Sequence, residues 1–294
     1  MFIFVHLLDD FSGSPRVLRD LITSVEELDS SPVLMFGGDV GFLSSLPMRS
    51  SVHFYKKSAS KVLQAILYFL AQFDLFFRVQ LAVRENTKKG HGSLVVVNTV
   101  LPIGAVLGAY FSTAKTLLIM HETTFRPNIL KNVYRFIIRY CTDYIVYVSD
   151  YLRSVEYFNG PALHVLPNGL RSDFSCDPKI NTRVKFEDRT ILFVGSLKEY
   201  KGIKQFFELA KRMPDFNFLA ALNCDPDQAS EYFSQNGLEA NSAYVVRPSD
   251  LQALYSSSMM LVNLSLPEQW IETFGLTILE GMHFGCPVVV PKVG

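Results

Sequence analysis

Neither charge is in surplus: 28 Lys and Arg stand against 28 Asp and Glu in 294 residues. A nucleic-acid binder usually carries a basic excess, so nucleic acid is not an expected partner, and any anion must be held by local geometry. Cysteine is scarce. Cys141, Cys176, Cys224 and Cys286 lie far apart and form no CxxC pair. That argues against a zinc knuckle and a disulfide scaffold and fits a reducing cytoplasm. His6, His53, His91, His164 and His283 show no metal-ligand spacing. The apolar start, MFIFVHLLDD, lacks a basic n-region and a small-residue cleavage site. It reads as a first β-strand and not as a signal peptide. No internal repeat or low-complexity tract is evident.

Hydrophobic residues make up 49% of the chain and charged residues 19%, a globular composition. The length suggests two domains, each large enough for its own core. Short runs rich in Val, Ile, Leu and Phe recur at 2–8, 33–36, 94–100, 116–120, 144–148, 163–166, 191–194, 216–222, 260–264 and 287–290. Most lack polar alternation, as expected of strands covered on both faces in a parallel sheet. Helix-like segments at 15–27, 131–140, 203–213 and 249–257 lie among them. The alternation predicts an α/β, doubly wound architecture. The polar segment 171–189 follows Pro167-Asn168-Gly169 and is the expected boundary. This gives a first domain over 1–180 and a second over 187–294. The second ends directly after a strand, so the chain is expected to be truncated.

Residues 62–83 form the most membrane-like stretch, preceded by Lys56, Lys57 and Lys61. Gln64, Gln72, Asp74 and Arg78 interrupt it, whereas a spanning helix needs about twenty mostly uncharged residues. Two readings stand: a long buried helix, which is favoured, and an amphipathic helix on an anionic membrane surface. The second would make residues 56–83 a peripheral membrane contact.

Three segments carry chemistry. In the first, Glu272 and Glu280 are eight positions apart, with Phe274-Gly275-Leu276-Thr277 between them. A helix is expected to begin near Phe274–Gly275. Gly275 lets a ligand approach the backbone, and first-turn N–H groups suit a phosphate or sugar oxygen. Both carboxylates can accept hydrogen bonds from sugar hydroxyls; one capping and one surface glutamate would explain the same residues. In the second segment, the strand 191–194 enters Gly195-Ser196-Leu197-Lys198-Glu199-Tyr200-Lys201-Gly202, then a helix. Lysine at a helix N-terminus has the wrong sign for the macrodipole, a conflict that a bound diphosphate would remove. Lys201 is the stronger candidate, and Lys198 serves equally well as a solvated turn residue. In the third, the opening strand leads through Asp9-Asp10-Phe11-Ser12-Gly13-Ser14 to Pro15. Here Ser14 suits an N-cap and Pro15 the first helical position.

Together these segments resemble the retaining GT-B glycosyltransferases of the "glycosyl transferases group 1" family. GSLKEYKG is similar to that family's G-R-L-x-x-x-K-G phosphate loop, and EQWIETFGLTILEGMHFGCPVVVPKVG to its E-x7-E region. Looser likenesses are residues 12–16, Asn98-Thr99, His121-Glu122, Val148-Ser149 and Pro167-Asn168-Gly169. The resemblance spans nearly the whole chain and is most specific over 272–287.

It implies two Rossmann-like, doubly wound parallel-sheet domains facing a cleft, the second truncated. The donor would be a nucleotide-diphosphate sugar, with no cofactor and no metal. The acceptor would be a saccharide or a lipid-linked saccharide. The activity implied is a retaining hexosyltransferase of polysaccharide or lipopolysaccharide synthesis, cytoplasmic or peripheral on the inner face of the membrane. By position, Lys201 would meet the diphosphate. Glu272 and the backbone from Phe274 through Gly275 and Leu276 to Thr277 would hold sugar and phosphate. Glu280 would bind the ribose. Gly13 and Gly195 would let loops approach the donor, and His121 would sit near the sugar. Ser196 replaces the family's usual arginine, and Lys198 is the residue whose charge stands nearest. Asp225-Pro226-Asp227 has the D-x-D form of a metal site but reads as a turn. Two rivals remain: a non-catalytic sugar-nucleotide-binding scaffold and a GT-B-fold sugar-nucleotide epimerase.

Overall fold

Runs such as Ile3-Phe4-Val5 and Val95-Val96-Val97 bury every side chain, at 4% exposure or less. Only a strand covered on both faces does that. The computed structural model describes residues 1–28, 31–38, 40–56, 58, 60–123, 128–170, 174 and 182–294. It divides into two units, Met1–Asn168 and Gly169–Gly294.

The first unit holds a seven-stranded sheet of β1 (Phe2–Val5), β2 (Val33–Gly37), β3 (Arg49–His53), β4 (Leu94–Asn98), β5 (Lys115–Met120), β6 (Tyr144–Tyr147) and β7 (Ala162–Val165). The order is β3-β2-β1-β4-β5-β6-β7, and every pairing is parallel. Its helices are α1 (Gly13–Ser24), α2 (Lys61–Thr87), α3 (Ile103–Tyr110), α4 (Asn128–Cys141) and α5 (Asp150–Val155). Strand order reverses between β1 and β4, so the loops after those strands open a crevice, the usual ligand position of a doubly wound sheet.

The second unit contains α6 (Thr182–Asp188), β8 (Thr190–Gly195), α7 (Ile203–Arg212), β9 (Asn217–Leu222), α8 (Pro226–Asn236), β10 (Ser242–Val246), α9 (Leu251–Ser257), β11 (Met260–Val262), α10 (Leu276–His283) and β12 (Val288–Val289). The sheet runs β10-β9-β8-β11-β12, again all parallel. Along β8, Ile191 and Phe193 enter one core cluster while Leu192 enters the other. The reversal here falls between β8 and β11, bringing the loop after Gly195 beside the loop after Val262.

Every expected strand is present. Two that the apolar runs did not mark, β3 and β10, are sheet edges. Part of the polar segment expected to be a linker is helical: α6 lies within the second unit, and its buried Lys185 donates to the Phe284 carbonyl at 2.6 Å. The unit boundary stands at Asn168/Gly169, before that segment. Residues 171–173 and 175–181, Cys176 included, lie outside the described residues, as does Lys57.

Helix α2 departs from the buried helix favoured above. Only Ala71, Gln72, Leu75, Val79, Val83 and Asn86 of its 27 residues are buried. That narrow stripe packs against α3 at glycines. A Cβ on Gly104 would lie 2.0 Å from the Gln72 carbonyl oxygen, and one on Gly108 2.6 Å from that of Phe76. Gly104→Ala is therefore expected to destabilise the protein by about 1–3 kcal/mol through overpacking, read as a lower urea midpoint.

Candidate functional site

In the first unit, the loop from β1 to α1 is pinned from below. The buried Asp9 carboxylate accepts the backbone N–H groups of Leu43 (2.9 Å) and Ser44 (2.8 Å). Asp10 Oδ1 accepts from Ser12 N at 3.0 Å. The helix starts two residues earlier than its proline suggests. Ser12 is the N-cap, with no side-chain cap bond, Gly13 opens α1, and Pro15 takes its third position. Proline is tolerated there because first-turn N–H groups have no intrahelical acceptor. A Cβ on Gly13 would meet nothing within 4 Å. The glycine thus faces open space at a helix N-terminus, as an anion seat requires.

At the ends of β4 and β5, buried Asn98 ties three segments together. Its Nδ2 donates to Ser14 O (2.9 Å) and lies 3.1 Å from His6 Nδ1. Its Oδ1 is 2.8 Å from His121 Nε2. Since Oδ1 only accepts, the proton sits on His121 Nε2. Burial, with His6 second, lowers the His121 imidazole to about 3, so it stays neutral. Burial also lowers His6 and takes His53 down to about 4. Thr99, next in chain, has φ +70, rare for a β-branched residue. Such strain costs on the order of 1–3 kcal/mol and concentrates at functional sites.

Glu122 joins this group. Burial raises its carboxyl to about 7 against backbone hydrogen bonds from His121, Val100 and its own N–H. Its Oε2 makes no hydrogen bond among the described residues. The folded protein therefore retains a proton that the unfolded chain releases between the ordinary 4.5 and about 7. The stabilisation associated with this group is complete below the lower value and is lost as pH rises through the upper. Glu122→Gln should flatten the fall in melting temperature between about pH 4.5 and about pH 7. An unchanged pH profile in that variant would remove Glu122 as its source.

In the second unit, β8 ends at Gly195 and the chain turns through Ser196, Leu197 and Lys198 into a single 3-10 turn, Glu199–Lys201. Gly202 then adopts φ +82 and caps α7. From the neighbouring crossover, Leu266 N donates to Tyr200 O at 2.8 Å. Tyr200 and Trp270 stack, with centroids 5.3 Å apart and planes 24° apart. Lys201 Nζ lies 4.7 Å from the Trp270 ring centroid and donates to Glu272 Oε2 at 2.8 Å. Both charged side chains are about one-fifth exposed, 20% and 24%. Burial first, then the Glu272 charge, raises the Tyr200 phenol above its ordinary value.

The N-terminus of α10 adjoins this pair. Gly275 is its N-cap at φ +76, and a Cβ there would lie 2.6 Å from Ile278 Cδ1 and 3.3 Å from Glu272 Cγ. Helix geometry leaves the first-turn N–H groups, Leu276 and Thr277 among them, without intrahelical acceptors; Phe274 stands just before the cap, half-buried. The structure thus joins Lys201, Glu272 and the 274–277 backbone. Glu280 stands apart from them. It is 1% exposed, and its Oε2 accepts from Tyr255 Oη at 2.7 Å. Lys198 is exposed and lines a separate hollow of about 260 Å³ with Leu197, Asn223, Gln228, Glu231 and Tyr232. Asp225 N-caps α8, its N–H donating to Gln228 Oε1 (3.1 Å) and its carboxylate meeting Arg247 (2.9 Å). The triplet expected to be a turn is instead the cap and first two residues of α8.

Sequence reasoning passed over Asn98, Glu122, Tyr200 and Trp270 as working residues. Trp270 is the only tryptophan of the chain, a signal that could have drawn attention to its loop.

Residues 179–294 match the family described as Glycosyl transferases group 1. Over 114 residues, 37% of this chain, the sequence is 32% identical to an uncharacterized glycosyltransferase of Haemophilus influenzae. That match spans 31% of the relative's own length. Among solved structures, Alr3699/HepE of Anabaena, crystallised with UDP and glucose, aligns with all of this chain and 81% of its own (TM-score 0.75, 16% identity). WaaG, a glycosyltransferase involved in lipopolysaccharide biosynthesis, aligns with all of this chain and 81% of its own (TM-score 0.64, 14% identity). Two parallel-sheet α/β units in that alignment give this chain the GT-B fold of glycosyltransferases.

Proposed function

We propose that this chain transfers a sugar from a nucleoside-diphosphate donor to a saccharide or lipid-linked acceptor, with retention of anomeric configuration. The observation that carries the reading is the Lys201–Glu272 pair, 2.8 Å apart at the β8/β11 switch point beside the N-terminus of α10. Without donor, the two charges satisfy one another. With donor, the diphosphate takes Lys201 and the N–H groups of Leu276 and Thr277, while sugar hydroxyls donate to Glu272. The exchange moves the ammonium from carboxylate to diphosphate, and hydroxyl hydrogen bonds then satisfy the Glu272 carboxylate in its place. As the glycosidic bond to phosphate breaks, negative charge grows on the leaving diphosphate. A fixed ammonium and a helix end stabilise that charge without reorganising.

In the same reading, Gly195 and Ser196 pass close to the donor, Lys198 adds a cation only by turning out of the separate hollow it lines, and no metal is needed. Glu280 is the proposed ribose contact, and reaching it requires the Tyr255 hydroxyl to yield. For the first unit we propose acceptor binding, with Gly13 at the α1 N-terminus a donor contact as the resemblance implies, and neutral His121, held by Asn98, a hydrogen-bonding group near the sugar. HepE supports a UDP-sugar donor, and WaaG a role in surface polysaccharide synthesis.

The test is a donor panel of nucleoside-diphosphate sugars, followed by thermal shift and by release of the nucleoside diphosphate, with the product anomer read by NMR. Binding without turnover in the presence of acceptors would favour the scaffold reading. An inverted anomer would overturn retention.

A further inference from the structure

Helix α2 is apolar on two opposite sides, and the fold uses only one. At 3.6 residues per turn, Ala71, Leu75, Val79 and Val83 form the inner stripe. Val62, Ile66, Phe69, Phe73, Phe77 and Leu81 fall in a strip about 120° wide on the other side. Those six are between 48% and 71% exposed. The strip runs about 30 Å along the helix. Single exposed apolar residues need no explanation, but a continuous stripe of this length marks an interaction surface.

The same layer presents a second patch. The connections from β3 to β4, β4 to β5 and β5 to β6 all advance in one direction across a parallel sheet. Right-handed crossovers therefore place α2, α3 and α4 on one side of it. On α4, Val133, Phe136 and Tyr140 are half or more exposed, with Arg139 over the Tyr140 ring at 5.1 Å.

Charge decides what covers this surface. Residues 56–141 contain twelve Lys and Arg against three Asp and Glu, in a chain whose total charge is balanced. Asp74 is paired with Arg78, Glu85 with Arg49, Lys115 with Asp143, and Lys131 and Arg135 with Glu156, which leaves Lys61, Arg84, Lys88, Lys89 and Arg139 as cations of this layer. Arg84 and Lys88 continue the outer strip beyond Leu81. A second copy docked through a two-fold would set this basic stretch against itself. A spanning role would strip the inner stripe from α3, with which it is in backbone contact at Gly104 and Gly108.

We infer that the outer face of α2, with the exposed aromatics of α4, docks on the surface of an anionic lipid bilayer. The helix lies in the plane of the interface, its Phe side chains enter the acyl boundary, and the flanking cations meet lipid phosphates. This inference does not depend on the proposed activity.

The test is cosedimentation of the purified chain with phosphatidylcholine vesicles, with and without phosphatidylglycerol. Binding should require phosphatidylglycerol and weaken with added salt. The exposed double substitution Phe73→Ser/Phe77→Ser should weaken it at least about tenfold, with an unchanged circular dichroism spectrum and melting temperature. Arg84→Glu/Lys88→Glu should weaken it specifically on the anionic vesicles. Failure of the folded wild-type chain to bind either vesicle overturns the inference. So does a dimer in sedimentation velocity that the double serine variant disperses, which would assign the face to a second copy. Donor binding, measured in parallel, separates either failure from a failure of the glycosyltransferase reading.

Discussion

Glu272→Ala is expected to lower the rate of sugar transfer by about 10²–10³-fold, the usual effect of removing one preorganised electrostatic contact. Binding of the bare nucleoside diphosphate should hold or tighten. The asymmetry follows from the free-state geometry. Glu272 Oε2 accepts from Lys201 Nζ at 2.8 Å, so a diphosphate must take the ammonium away from a carboxylate. Removing the carboxylate removes that competitor, and with it the acceptor for the sugar hydroxyls. Lys201 remains over the Trp270 ring, which limits its loss of position. Lys201→Met should show the converse, weak diphosphate binding with a carboxylate left unpaired. A purely structural role for Glu272 would not split diphosphate affinity from turnover. Full transfer by the alanine variant, or equal loss of diphosphate binding and transfer, would refute the assignment.

Gly202→Ala should have the largest effect on stability. The position holds φ +82, and a Cβ would stand 2.1 Å from the Leu264 carbonyl oxygen and 2.6 Å from its carbon. The left-handed conformation alone costs an alanine roughly 1–2 kcal/mol. Overpacking against backbone, which cannot swing aside like a side chain, adds about 1–3 kcal/mol. The strain is expected as a loss of about 2–5 kcal/mol in urea unfolding of the second unit. It should also reach function. Gly202 joins the Lys201 turn to α7, and Leu264 begins the segment carrying Trp270 and Glu272. Any relaxation moves the two halves of the ion pair apart. A variant as stable as wild type would show that the close approach of these loops is not needed for the fold.

The apolar runs made the parallel sheets legible. A strand such as β8, whose side chains alternate between two cores, must be apolar throughout. The edge strands β3 and β10 were missed for the same reason in reverse. Arg49-Ser50-Ser51-Val52-His53 has a sheet neighbour on one side only, so burial does not dictate its composition. Helix α6 hid in a polar segment because, among its described side chains, Lys185 is the buried one. The outer stripe of α2 was read as interior because composition records that a residue is apolar and not which way it faces.

The α/β class, the glycine-bearing turns after β1, β8 and β11, and the residue types at each were already written in the order of residues. These follow from local rules: burial on both faces, positive φ, and helix ends with unsatisfied donors. Which of those residues meet depends on long-range packing. Lys201 and Glu272 are 71 positions apart, and nothing local brings them within 2.8 Å. The sheet order does, by setting β11 beside β8 and so one crossover loop against another. The same packing turned Glu280 inward to Tyr255 while leaving Glu272 beside Lys201, although both belong to one sequence motif. Two turns of helix separate a carboxylate in the core from one at the helix mouth, and pattern alone carries no information about depth.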